Sequence, residues 1–114
     1  ETACYLMIKR YEIRKDGIGF CYDGSWFNLT VTDEGIVIAE EISYEVPIGP
    51  QYSRIRLLIK KGKVYVQTPV GTFELKDPEP IIENLKNINE EIIKNKNKEL
   101  YEKILSHLGE GARH

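Results

Sequence analysis

The sequence has few of the residues that build metal sites and disulfide frameworks. It contains two cysteines, Cys4 and Cys21, and two histidines, His107 and His114, which lie far along the chain from both thiols. This arrangement has neither the spacing of a zinc site nor that of a Cys–His catalytic pair. A single disulfide is optional in a domain of this size, so we expect reduced cysteines, no metal and no cofactor.

A long apolar run and an excess of positive charge are also missing. The apolar stretch 3–8 is far shorter than the roughly 20 residues of a membrane-spanning helix, and no secretory signal is recognisable. The formal net charge is −2, so the chain lacks the overall basic character of a protein that neutralises nucleic-acid phosphates, although a local basic patch is still allowed. We therefore expect a cytoplasmic protein without a transmembrane segment.

No motif in the sequence carries chemistry by itself. We find no carboxylate pair at catalytic spacing, no nucleophile with a base and no glycine-rich phosphate loop between a strand and a helix. Gly17, Gly19 and Gly24 fall in predicted hairpins instead. The sequence therefore predicts a protein that is not an enzyme.

What the sequence does have is a change of hydrophobic period at 77–80. Before this point apolar residues alternate between glycine-bearing turns, and after it they recur at spacings of three and four. Asp77 is predicted to be the helix N-cap and Pro78 the first helical residue. We expect one domain over 1–108, with a β body (1–77) and a helical segment (78–108), and a flexible tail (109–114). Because residue 1 is glutamate, we expect a fragment or a processed chain.

The turns predict two antiparallel meanders of four and three strands. They are expected at 16–17, 23–24, 32–35, 61–62 and 70–71, with a break between two sheets at the proline-containing segment 47–51. Glu40 falls on an apolar face and predicts a bulge or a sheet edge. The predicted cross-strand pairs are Ile13–Phe20, Phe20–Phe27, Leu29–Ile38, Leu57–Val66, Ile59–Val64, Val66–Leu75 and Thr68–Phe73. The predicted fold class is α+β, mainly β: a partly open barrel or sandwich closed by a C-terminal helix.

The helical segment carries two apolar stripes that are out of phase. The first consists of Ile81, Ile82, Leu85, Ile88 and Ile92; in one straight helix the centre of the second would be rotated by roughly 100° from it. Either the helix bends or splits near 94–98 and folds back on the body, or the second stripe contacts a partner or a second copy. The second apolar stripe consists of Leu100, Tyr101, Ile104, Leu105 and Leu108.

The strand order and two short segments resemble the pleckstrin-homology superfold, including its bacterial-type and GRAM-like members. Segment 29–38, Leu-Thr-Val-Thr-Asp-Glu-Gly-Ile-Val-Ile, is similar to the third-to-fourth strand hairpin of that group, and 73–78 to its last strand and helix entry. The resemblance covers about 5–93 in layout, but the single tryptophan, Trp26, is on a strand and not in the terminal helix, where eukaryotic members usually carry one. It implies phosphoinositide binding through a basic first hairpin, here Lys9, Arg10, Arg14 and Lys15.

Three functions follow from these features. The leading hypothesis is a non-enzymatic interaction module that binds a protein or assembles with itself through the C-terminal helix and a sheet edge. The second is single-stranded nucleic-acid binding, with an outward tyrosine for base stacking, through Arg54, Arg56, Lys60, Lys61, Lys63 and Tyr65. The third is binding of a phosphoinositide or another lipid headgroup. The Ile-, Lys- and Glu-rich composition also fits a thermophile or an AT-rich genome.

Overall fold

The computed structural model describes residues 11–22, 24–42 and 51–109, without the side chains of 42 and 51–54. The strands in this part of the chain are β1 (Tyr11–Ile13), β2 (Gly17–Tyr22), β3 (Ser25–Val31), β4 (Ile36–Ile42), β5 (Gln51–Lys60), β6 (Lys63–Thr68) and β7 (Gly71–Glu74). The helices are α1 (Glu79–Ile88) and α2 (Lys98–His107), and a π-helical turn (Asn89–Ile93) directly follows α1.

The described strands form one antiparallel sheet in which each strand pairs with the next along the chain. The order is β1-β2-β3-β4-β5-β6-β7, and β1 and β7 are not paired with each other, so the sheet is open. Both helices follow the last strand. The predicted fold class, α+β and mainly β, is confirmed.

Most of the predicted register is confirmed. The two-residue turn after β2 and the longer turn after β3 place each apolar residue opposite the expected partner. The same holds for the hairpin of β5 and β6. The confirmed pairs are Phe20–Phe27, Leu29–Ile38, Leu57–Val66 and Ile59–Val64.

The register of β1 with β2 differs from the prediction by two residues. Ile13 pairs with Ile18 and not with Phe20, because the turn lies one residue earlier than expected. The Arg14 amide donates to the Gly17 carbonyl at 2.8 Å and closes that turn. A shift of two residues is one full side-chain period, so Ile13 keeps its predicted face.

The register of β6 with β7 differs in the same way. Val66 pairs with Phe73 where Leu75 was expected, and Thr68 pairs with Gly71. The Thr68 hydroxyl donates to the Gly71 carbonyl at 2.9 Å and fixes the turn one residue earlier. Threonine hydroxyls commonly stabilise turns by such local bonds.

The sheet continues across the position where a division into two meanders was predicted. Ile36 pairs with Ile59 and Ile38 with Leu57, which joins β4 to β5. Most of the predicted break, 47–50, lies outside the described residues. The register shifts between residues 39 and 41 of β4, which is the kind of irregularity that Glu40 predicted.

The helical segment begins one residue later than predicted. The N-cap of α1 is Pro78 and not Asp77, and no side chain caps it. The Pro78 carbonyl accepts from the Ile82 amide at 3.0 Å, which makes it the first acceptor of the helix. A difference of one residue at a helix end is small, and the entry signalled by Pro78 is retained.

The chain leaves the helix after the π-helical turn, and this confirms the predicted bend near 94–98. The Lys94 amide donates to the Asn89 carbonyl at 2.9 Å, five residues back, so the turn holds one more residue than an α-helix would. One extra residue changes the phase at the end of this helical stretch by about 100°. Asn97 then caps α2: its Oδ1 accepts from the Leu100 amide at 3.1 Å.

The core lies between one face of the sheet and the helices. We call this face of the sheet, which carries Ile18, Leu29, Ile36, Ile59 and Val64, the inner face, and the opposite face the outer face. The inner-face residues are at most 1% exposed. The helical residues buried against them are Ile82, Leu85, Ile93, Leu100, Tyr101, Ile104 and Leu108.

Candidate functional site

The outer face is the side of the sheet that none of the described helices covers, because their buried residues all belong to the core of the inner face. Side chains alternate along a strand, so the neighbours of core residues point to the outer face. Cross-strand pairing aligns them in rows. One row holds Asn28, Ala39, Arg56 and Gln67, and the next holds Thr30, Val37, Leu58 and Tyr65.

The predicted basic residues come together on the hairpin of β5 and β6. Arg56, Lys60 and Lys63 have exposed side chains on the outer face, and Lys61 is exposed in the turn. We call these four residues the basic hairpin. The side chain of Arg54 lies outside the described residues. Segment 55–68 contains no aspartate or glutamate, so nothing within the hairpin neutralises its charge.

Tyr65 lies among these cations. It is partly buried on β6, opposite Leu58 on β5 and Glu74 on β7. The Lys60 Nζ is 6.0 Å from the centroid of the Tyr65 ring, at the outer limit of a cation–π contact. A partly exposed ring beside lysines is a surface on which a nucleic-acid base can stack.

The tip of the basic hairpin is fixed to α2. Lys61 and Gly62 both have positive φ angles, 52° and 78°, as the tight turn between two strands requires. Glycine at the second position avoids the strain that a side chain would bring. The Gly62 amide donates to the His107 carbonyl at 3.1 Å, so the tip of the hairpin is held against the end of the helix.

A polar network crosses the outer face from the turn between β1 and β2. The Arg14 Nη2 donates to Asn28 Oδ1, and Asn28 Nδ2 donates to Glu41 Oε1 at 3.3 Å. The guanidinium lies over Gly19, where an added Cβ would be 2.8 Å from Nη2 and would displace it. The Arg14 Nη1 is buried, and the described residues offer it no hydrogen-bond partner.

A groove of about 530 Å³ lies on the outer face between Arg14 and Arg56. Asp16 is one of the residues that line it. The other residues that line it include Asn28, Thr30, Val37 and Ala39. Neither Asn28 nor Ala39 was identified from the sequence, because only the register brings them between the two arginines.

The second apolar stripe lies in the core of the domain. Leu100 and Ile104 are at most 1% exposed, Leu108 is 3% and Tyr101 is 8% exposed, and Leu105 is partly buried. All of them pack in the cluster formed with the inner face. This is the arrangement expected if the helix folds back on the body, so we place no partner contact on these side chains.

Tyr101 also forms the most perturbed pair of ionisable groups in the described part of the chain. Its hydroxyl donates to Glu90 Oε2 at 2.6 Å. This bond lowers the pKa of Glu90 and raises the pKa of Tyr101. Lys94 Nζ lies 3.5 Å from the other Glu90 oxygen and lowers the pKa of Glu90 further. The pair joins the π-helical turn to α2.

The described residues include no group of three or more His, Cys, Asp or Glu side chains that could hold a metal. Cys21 is 1% exposed and disulfide-bonded, so the prediction of reduced cysteines is wrong for Cys21. The spacing of two cysteines in a sequence cannot show whether they are oxidised. Cys4 and His114 lie outside the described residues.

Comparison of this chain with protein-family models, curated proteins and solved structures finds no match. The resemblance to the pleckstrin-homology superfold therefore stays a prediction. Of its implied basic hairpin, Lys9 and Arg10 lie outside the described residues, Lys15 is exposed, and Arg14 lies along the outer face. Within the described ranges, no helix has the length and apolar character to cross a membrane.

Proposed function

We propose that this domain is a non-enzymatic binding module for single-stranded nucleic acid, which it contacts with the outer face of β5 and β6. One observation carries the proposal. Arg56, Lys60 and Lys63 point to the same face of one hairpin as Tyr65, and the Lys60 Nζ lies 6.0 Å from the centroid of its ring. Cations that follow a strand and an aromatic ring among them are the two elements of sequence-tolerant single-strand binding.

The charge distribution agrees with this proposal in spite of the net charge of −2. The basic hairpin supplies four cations without an acid between them, and phosphate neutralisation depends on such local charge. Glu74 is the acid nearest to this surface in the sheet, because it pairs with Tyr65 from β7. Each base stacked on Tyr65 would contribute about 1–3 kcal/mol.

Fluorescence anisotropy with a labelled oligothymidylate at low ionic strength tests the proposal. We expect saturable binding, weakened by about tenfold or more in the double variant Arg56→Ala, Lys63→Ala, because two phosphate contacts are lost. The matched control is Lys96→Ala, Lys98→Ala, which removes the same charge from two exposed lysines near α2. Equal losses in both double variants, or no binding by the wild type, would refute the proposal.

Edge strand β7 supports protein binding as a second candidate. Phe73 is 56% exposed on this strand and Val70 is 88% exposed in the turn before it. One side of β7 pairs with β6, and the described residues leave its other side without a partner strand. Such an edge can accept a strand from a protein or from a second copy. Light scattering would detect a dimer, and Phe73→Lys should abolish it.

Four further sequence predictions concern a lipid ligand, the source, enzymatic activity and cellular location. Binding of a lipid headgroup and a thermophilic source stay predictions, as does the absence of an enzymatic activity. A cytoplasmic location also stays a prediction, although the disulfide of Cys21 favours an oxidising compartment.

A further inference from the structure

We infer that the groove between Arg14 and Arg56 is a phosphate-binding subsite of this surface. The inference rests on the proposed function in one respect only: the phosphate would belong to the backbone of the bound strand. Independently of that function, both guanidinium groups bind one phosphate above Ala39.

Cross-strand pairing gives the geometry. Asn28, Ala39 and Arg56 are direct neighbours on β3, β4 and β5, so Ala39 lies about one strand spacing, ~4.8 Å, from each. The Arg14 guanidinium is held at Asn28 on one side of Ala39. Arg56 stands on the other side. The methyl group of Ala39 leaves the space between them open.

The hydrogen-bonding state of the two arginines points to an anion. Arg14 uses Nη2 on Asn28, while Nη1 has no acceptor among the described residues. A buried donor without an acceptor is unfavourable. Because Nη1 is buried, a phosphate oxygen reaches it only when the guanidinium turns toward the groove. Arg56 is exposed and forms no ion pair in the described part of the chain. A tetrahedral phosphate offers enough oxygens for two planar guanidinium groups.

Two acids lie at or near the groove. Asp16 is one of the residues that line the groove, and Glu41 accepts a hydrogen bond from Asn28. Because Asn28 accepts from Arg14 and donates to Glu41, it holds the guanidinium in place. We therefore assign Asn28 a positioning role and the two arginines the contact with phosphate.

The test fills the groove without changing its charge. Ala39→Leu keeps both arginines and places a larger side chain between them. Thr72→Leu is the matched control, because Thr72 is exposed on the outer face of β7, in the same row but beyond Arg56. Pyrophosphate is titrated into each protein and followed through the amide resonances of residues 28, 39 and 56. We expect Ala39→Leu to weaken binding by at least tenfold and Thr72→Leu by less than twofold.

The same variants are titrated with oligothymidylate to separate this inference from the proposed function. Loss of one phosphate contact in Ala39→Leu should reduce the salt slope of binding by about 0.7. If Ala39→Leu binds pyrophosphate like the wild type, the groove is not a phosphate site, and oligonucleotide binding decides the proposed function independently. If pyrophosphate binds in the groove but the oligonucleotide does not bind, the subsite stands and the proposed function fails. Tighter binding to phosphatidylcholine vesicles that contain a phosphoinositide than to the oligonucleotide would overturn the assignment of the phosphate to a nucleic-acid strand.

Discussion

Asn97 offers the sharpest test of how the C-terminal segment is attached to the sheet. Its Oδ1 accepts from the Leu100 amide at 3.1 Å, and its Nδ2 donates to the Arg14 carbonyl at 3.0 Å, across 83 positions of sequence. Asn97→Ala removes both bonds. An N-cap is worth about 1 kcal/mol and a further hydrogen bond about 1 kcal/mol. We therefore expect the free energy of unfolding to fall by about 2 kcal/mol.

Urea unfolding followed by the fluorescence of Trp26 measures this change. The midpoint should fall by about 1 M, given the usual denaturant dependence of small domains. Asn97→Asp keeps an acceptor for the Leu100 amide but cannot donate to Arg14, so about half of the loss is expected. Asn95→Ala is the control, because Asn95 is exposed. If Asn97→Ala is within about 0.5 kcal/mol of Asn95→Ala, the two bonds do not hold the helix as we describe.

Three further predictions concern the same segment and the disulfide. Truncation before Glu99 removes four buried side chains, whose burial contributes about 6–12 kcal/mol in total to the free energy of unfolding. The remaining chain should therefore lose its cooperative thermal transition. A folded truncation product would contradict the packing. The depressed pKa of Glu90 means that its bond with Tyr101 stabilises the domain above the ordinary carboxyl pKa. The difference in the free energy of unfolding between wild type and Tyr101→Phe should therefore be present at neutral pH and shrink as the pH falls through the folded pKa of Glu90. A difference that is constant from neutral to acidic pH would contradict this role of the bond. Thiol titration of the denatured, unreduced protein should detect no free Cys21, and a reactive thiol there would overturn the disulfide.

The face of the sheet on which each side chain lies could be predicted. An error of one residue in a turn changes the register by two residues, and this leaves the alternation of side chains between the two faces unchanged. The turns lie one residue earlier than the predicted positions 16–17 and 70–71, so the register of each hairpin differs from the prediction by two residues. Ile13 and Val66 nevertheless keep their predicted faces, since two residues restore the side-chain direction. The shared face of Arg56, Lys60 and Lys63 could be predicted for the same reason, because these residues alternate with Leu57, Ile59 and Val64.

Contacts between distant segments could not be predicted. The pairing of β4 with β5 crosses 43–50, where the prolines suggested a boundary between sheets. The two apolar stripes indicated a bend, but their phase could not show whether the second stripe packs on this domain. The burial of the second stripe and the bond from Asn97 to Arg14 answer that question, and Asn97 resembles an ordinary surface residue in sequence.

The groove between Arg14 and Arg56 could not be predicted from sequence patterns either. Arg14 was visible as part of a basic hairpin, but its position depends on Asn28, which lies 14 residues away and on another strand. The sequence places Gly19 in a hairpin but does not show that its missing Cβ makes room for the guanidinium. Only the register between the strands places Arg56 opposite this network.

The salt dependence of oligothymidylate binding by the wild-type protein tests the central claim most directly. Each neutralised phosphate of a single strand contributes about −0.7 to the slope of log K against log salt. The four cations of the basic hairpin therefore predict a slope of about −3, and Arg56→Ala should make it shallower by about 0.7. A slope near zero, or a steep slope that does not change in Arg56→Ala, would contradict nucleic-acid binding by this face.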